Sequence, residues 1–215
     1  MKNKKRMMRL PFLLIGAFLV FAISCDKDDD NNGDSANTFK DSRDGKVYQT
    51  VVIGNQEWMA ENLAYAPSSG NYWVYDNDDA NVEIYGYLYD WQTAKNVCPA
   101  GWHLPSDEEW TELTDYLGEN AGGKLKATGT IEAGTGLWYD PNTGATNETG
   151  FTALPGGGRD TNGAFYYVGY YGYWWSATEY GTNTAWYRLM TYVGSSVGRF
   201  SRSKGLGFSV RCLRD

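Results

Sequence analysis

Apolar positions change period along this chain, and each change predicts an element. In GKVYQTVVIGNQEWMAENL, Val47 and the β-branched run Val51 to Ile53 precede Gly54-Asn55, a pattern that predicts two strands around a turn. In YLYDWQTAKNV, Leu88, Trp91, Ala94 and Val97 recur in steps of three and predict a helix ending just before Cys98-Pro99. PSDEEWTELTDYLG predicts a second helix. Ser106 and Glu109 form a capping box, Asp107 and Glu108 suit the positive end of the helix dipole, and Gly118 is placed to end it. Trp110, Leu113 and Leu117 form its apolar face.

After that helix the pattern dissolves. The stretch ENAGGKLKATGTIEAGTGLWYDPNTGATNETG is rich in Gly, Thr and Asn and reads as long loops with few strands. Short strands separated by Gly turns follow, closing on GFSVRC, where Phe208, Val210 and Cys212 share one face and Ser209 and Arg211 the other. Within this part, seven of the ten residues from Tyr166 to Trp175 are aromatic.

The N-terminus carries a different message. Five basic residues in MKNKKRMMR precede LPFLLIGAFLVFAI, an apolar run too short to span a bilayer comfortably. The run ends at Ser24-Cys25, which resembles a bacterial lipobox and implies removal of residues 1–24 and lipidation of Cys25. A plain secretory signal cleaved near Ala22 or Ser24 is the alternative. DKDDDNNGDSANT then reads as a disordered tether over residues 25–38. Its first residues resemble acidic export signals that send lipoproteins to the outer face of the outer membrane, and Asp34 to Ala36 resembles a short O-glycosylation motif. The expected location is therefore an outer-membrane lipoprotein facing the cell surface.

Charge and cysteines narrow the class further. The chain has net charge −7, and losing the basic signal makes it more acidic, so nucleic acid is excluded as an expected partner. Residues 39–215 suffice for one well-cored domain. Of three cysteines, Cys98 and Cys212 remain after lipidation. In an exported protein they most simply form a disulfide, with two free thiols as the alternative.

Five ordered motifs, DGKVYQTVVIGNQEWMAENL, CPAGWHLPSDEEWTEL, TGFTALPGGGRD, GYWWSATEY and GFSVRCLRD, resemble the Fibrobacter succinogenes major paralogous domain (FISUMP) family from Phe39 to Asp215. The resemblance implies an α+β, C-type-lectin-like fold: two helices flanking a small, twisted, mostly antiparallel sheet with long irregular loops. It carries no established activity. GWHLPSDEEW and GFSVRC are also distantly similar to formylglycine-generating enzymes and their iron-dependent relatives. The first group needs a reactive cysteine pair near the C-terminal end, where this chain has Cys212 alone; the second needs several histidines, and this chain has one. His103 is accordingly read as a packed structural residue rather than a base. DNDDAN, Asp76 to Asn81, fails as a calcium loop because Ala80 and Asn81 stand where a ligand and a Gly are needed. No cofactor, metal site or catalytic residue is expected.

The fold implied by the resemblance divides the aromatic run. GYWWSAT becomes a central strand, with Tyr173 and Trp175 on one face and Trp174 and Ser176 on the other. Trp102, Trp110, Trp175 and Phe208 are expected in the core, where aromatics compensate for a modest Leu and Ile content. Tyr166, Tyr167, Tyr170 and Tyr171, with Trp138, Tyr139 and Arg159, are expected to line an open ligand-binding surface. Tyrosine pairs a flat apolar face with a polar tip, which suits sugar or peptide contact. The expected function is a non-catalytic, lipid-anchored surface module that binds a glycan, or an adhesive protein that binds cell-surface proteins through its loops.

Overall fold

Gly54 takes the left-handed conformation (φ 63°) that a two-residue turn requires, and folds β2 (Val47–Ile53) back onto β3 (Gln56–Met59) in antiparallel register. The computed structural model describes residues 37–215; the signal segment, the lipidation site Cys25 and residues 25–36 of the tether lie outside the described residues. Around this hairpin, β1 (Thr38–Lys40), β12 (Leu213–Arg214) and β6 (Trp102–His103) complete a five-stranded sheet in the order β1-β2-β3-β12-β6. A two-stranded ribbon joins β4 (Tyr72–Trp73) to β5 (Leu88–Tyr89).

A second five-stranded sheet runs β11 (Gly198–Ser203), β10 (Thr184–Thr191), β9 (Tyr171–Gly181), β7 (Gly156–Arg159), β8 (Phe165–Val168). Its pairings are antiparallel except that of β7 with β9. The architecture is thus mixed α/β and mostly sheet, with two larger sheets where the resemblance implied one small one. The described residues contain four short α-helices: α1 (Ala80–Tyr85), α2 (Trp91–Val97), α3 (Asp107–Leu117) and α4 (Ala121–Leu125). None of the described helices is long and apolar enough to cross a membrane.

Capping chemistry explains where the helices begin. The Asp90 side chain accepts from the Thr93 backbone N–H at 2.8 Å, so α2 starts at Trp91 and leaves Leu88, expected in the helix, to the ribbon. Trp91, Ala94 and Val97 still form its buried face. At α3 the Ser106–Glu109 capping box is complete and Gly118 caps the C-terminus. Asp107 does more than complement the dipole: it is buried and held by Arg188 of β10 and Arg199 of β11, which ties α3 to the second sheet.

Alternation along β9 feeds two cores. Tyr173 and Trp175 pack with Trp102, Phe208 and Val210 in one cluster, while Trp174 packs with Trp58, Trp110 and Phe151 in the other. Both faces of the strand are therefore buried. Both β9 indoles satisfy their N–H within the core: Trp175 Nε1 donates to the Tyr89 carbonyl at 2.8 Å and Trp174 Nε1 to Asn62 Oδ1 at 2.9 Å. Burying side chains of this size stabilises the fold by about 2–3 kcal/mol each. Cys98, just after α2, is disulfide-bonded to Cys212 with a Cα–Cα distance of 6.0 Å, fixing the middle of the chain to its end.

Candidate functional site

The glycines of PGGGRD build one side of a cleft. In β7 a Cβ on Gly157 would stand 2.5 Å from the Tyr166 carbonyl oxygen, and one on Gly158 would stand 3.0 Å from the Tyr166 ring. Side chains there would displace the ring. Glycine lets β8 lie close and lets Tyr166 lie over β7. The turn joining these strands is held by Asp160, whose Oδ1 accepts from the Thr161 N–H at 2.6 Å and from its hydroxyl at 3.2 Å.

The cleft that results has a volume of about 660 Å³ and lies across the second sheet. Tyr173 of β9 and Tyr187 of β10 form its floor, their centroids 5.9 Å apart, with Phe208 stacked on Tyr173 at 4.8 Å and 9°. Tyr166 and Tyr167 rise on the β8 side, and Leu189 and Leu206 add apolar wall. Asp160, Thr161, Arg202 and Ser203 supply the polar rim. Burial, reinforced by the nearby Asp160 charge, pushes the Tyr166 hydroxyl up to about 12, and burial pushes Tyr173 higher still. These rings stay neutral phenols across the physiological range, able both to donate and to accept. Arg202 lies close enough to counter the Asp160 effect on Tyr166, yet makes no hydrogen bond or ion pair with the described residues.

Tyr167 is the most informative member. It is 54% exposed and has φ 63°, a left-handed conformation that bulky residues rarely adopt. The conformation costs about 1 kcal/mol, and an exposed ring recovers little of it by burial. Strain held at an exposed aromatic on the wall of a cleft, where among the described rings it meets only Tyr166 and Tyr171 edge-on, makes Tyr167 the first position to test for function.

The residues expected to bind ligand do not form one surface. Tyr166 and Tyr167 line the cleft, and Tyr171 adjoins it, meeting Tyr167 edge-on at 4.9 Å. Tyr139 and Tyr170 stack on each other at 4.2 Å, with Tyr192 edge-on to Tyr170 at 5.2 Å, in a separate patch. Arg159 lies with its guanidinium over the Trp73 ring at 4.1 Å and donates to the Asp160 carbonyl. Trp138 is a correction: it is fully buried in the second core, with its indole N–H donating to the Ala153 carbonyl at 3.0 Å, and lines no open surface. The loop region around it needs a large apolar side chain of its own, and Trp138 supplies it. The reading by sequence missed Tyr187, Leu189, Asp160 and Arg202 as cleft residues. Alternation in RFSRS already put Phe200 and Arg202 on one face of a strand, but no local pattern says which strand lies beside it.

Two other places have chemistry to weigh. A shallow groove of about 950 Å³ runs beside α3, bordered by Glu108, Glu112, Asp115 and Tyr116. Its one buried carboxylate, Asp107, is already engaged by two arginines, so the groove presents a solvated helix face. His103 is partly exposed rather than packed inside; its Nδ1 lies 2.7 Å from Asp215 Oδ1 and its Nε2 3.0 Å from Glu109 Oε1. It bridges β6, α3 and the C-terminal residue, with no nucleophile in the set. Among the described residues no three His, Cys, Asp or Glu side chains are placed to hold a metal ion.

Comparison with curated proteins and with solved structures finds no match. The model of one family does match, over residues 51–214, which takes in the whole second sheet, every residue lining the cleft, and the first sheet from Val51 onward. By that match the chain belongs to the family of the Fibrobacter succinogenes major domain.

Proposed function

We propose that this protein is a non-catalytic binding module, held at the outer face of the outer membrane by lipid on Cys25, that recognises carbohydrate through the tyrosine cleft. One observation carries the reading: exposed, strained Tyr167 stands on a cleft floored by tyrosines and rimmed by Asp160 and Arg202. Sugar rings present apolar C–H faces and a periphery of hydroxyls. Aromatic walls meet the first, and a carboxylate with a guanidinium meets the second. The scaffold is read as C-type-lectin-like, distantly similar to formylglycine-generating enzymes but without their cysteine pair. Net negative charge speaks against nucleic acid as a partner.

The test is a glycan and polysaccharide binding screen on the exported protein in detergent, with calcium and with chelator. A reproducible hit lost in Tyr167→Ala supports the reading, and the chelator lane reports whether calcium takes part. A blank from folded protein overturns it. An adhesive role, in which the loops bind other surface proteins, is favoured by the exposed Tyr170 stacked on Tyr139, with exposed Ile131 next to Tyr139 over Gly169, and it predicts a crosslinked protein partner without glycan affinity.

A further inference from the structure

The aromatic rings of the second sheet continue beyond the cleft. From Tyr167 the contacts run to Tyr171 at 4.9 Å, to Tyr173 at 6.0 Å, to Tyr187 at 5.9 Å and to Phe200 at 6.0 Å. The path starts on β8, crosses β9 and β10 and ends on β11. It therefore reaches from one edge strand of the sheet to the other. β7 lies between β8 and β9 and interrupts nothing on the way, because its residues there are glycines.

The two ends are built alike. Tyr166 lies over Gly158 on the β8 side, and on β11 a Cβ on Gly198 would meet the Phe200 ring at 2.5 Å. In each case a glycine lets an aromatic ring lie down on the sheet. Tyr167 and Phe200, at the ends, are 54% and 48% exposed, while Tyr173 and Tyr187, in the middle, are nearly buried. The cleft is thus a trough with accessible Tyr167 in its lining at one end and accessible Phe200 just outside its lining, two residues from Arg202, at the other.

The polar groups bear on ligand charge. Asp160 on the β7–β8 side keeps a carboxylate oxygen that makes no hydrogen bond with the described residues, and Arg202 follows Phe200 by two residues and shares its face of β11. A hydroxyl can donate to the first and accept from the second. A ligand anion would meet Asp160 and the field of an acidic protein, and a ligand cation would meet Arg202. Paired opposite charges on the rim of an aromatic trough match uncharged, hydroxyl-rich units.

We infer that the trough binds an internal stretch of a single, neutral, linear polysaccharide chain lying across the strands from Tyr167 to Phe200, rather than a terminal sugar. The inference rests on the proposed carbohydrate reading and adds to it the length, charge and direction of the ligand. Each aromatic end then supplies its own subsite, so affinity grows with chain length until the trough is filled.

Isothermal titration of the exported protein with neutral β-1,4-gluco-, β-1,3-gluco- and β-1,4-manno-oligosaccharides, from disaccharide to hexasaccharide, tests this, with oligogalacturonates as the charged control. The expected result is an affinity at least about tenfold higher for a hexasaccharide than for the disaccharide of the same series. Phe200→Ala and Tyr167→Ala, at opposite ends and both on exposed side chains, should each weaken hexasaccharide binding. A disaccharide that binds as tightly as the hexasaccharide overturns the inference and leaves the carbohydrate reading standing. So does a hexasaccharide indifferent to Phe200→Ala, or a preference for oligogalacturonate. Absence of binding by every oligosaccharide, with the protein folded by circular dichroism, overturns both.

Discussion

The Lys126 ammonium donates to the Gly194 carbonyl at 2.9 Å, and to the Thr143 and Thr191 carbonyls at 3.0 Å each. All three partners are neutral, and the side chain is fully buried beside Trp138. Burial lowers the Lys126 pKa to about 8, so the group is still a cation at neutral pH. It gathers the long loop and the end of β10 around one positive charge built into the chain.

Lys126→Met should therefore cost about 2–3 kcal/mol, because three part-buried carbonyls lose their charged donor while the volume is nearly kept. The shift of the urea midpoint measures it. A change under 1 kcal/mol would mean that water replaces the ammonium and that the cage contributes little. Chelator should leave the wild-type melting temperature unchanged, since the cation of this cage is covalent.

Tyr167→Gly should leave stability unchanged or raise it by at most about 0.5 kcal/mol while removing ligand affinity. Glycine takes the left-handed conformation freely, though its looser unfolded chain offsets part of the gain. Melting curves and the binding screen on the same variant decide it. Lower stability would show that the exposed ring contributes to packing, and the argument from strain would fail.

His103 should make stability depend on pH near neutrality. Burial alone would lower its pKa, but the hydrogen bonds to Asp215 and Glu109 outweigh burial and raise it above the unfolded value of about 6.5. Stability from the imidazolium is then fully present below pH 6.5 and is lost as pH rises through the folded value. The contribution is small, because the ring is partly exposed and solvent screens the pair. Melting temperatures of wild type and His103→Gln from pH 5 to pH 9 check it: the difference between them should shrink as pH rises.

Reduction of the Cys98–Cys212 disulfide should lower stability by about 4 kcal/mol, since it opens a loop with a sequence separation of 114. The paired Cys98→Ser, Cys212→Ser variant reports the same quantity without reductant. Equal urea midpoints for the oxidised protein and the variant would rule it out.

Trp138→Ala should behave as a core mutant, losing about 3–5 kcal/mol. Any loss of binding should then follow the unfolded fraction measured by near-ultraviolet dichroism. Binding lost from a fully folded variant would return Trp138 to the ligand surface.

Local signals in the sequence determined much of this protein. The Gly54-Asn55 turn, the α3 capping box with Gly118 and the buried face of α2 all arise from residues a few positions apart. Period, cap and turn chemistry act over that range, so they can be read from a line of letters. Two cysteines in a chain read as exported pointed to their own pairing for a similar reason: few partners were available.

Only the tertiary structure decided the cleft. Tyr166, Tyr187 and Arg202 meet because β8, β7, β9, β10 and β11 adopt one order in one sheet, and strand order depends on contacts far apart in sequence. It also separated tyrosines that sequence reasoning had pooled, sending Tyr139 and Tyr170 to another patch and Trp138 to the core. Aromatic side chains are equally suited to filling a core and to meeting a ligand. Composition names the material, and burial, which depends on every neighbour at once, assigns its use.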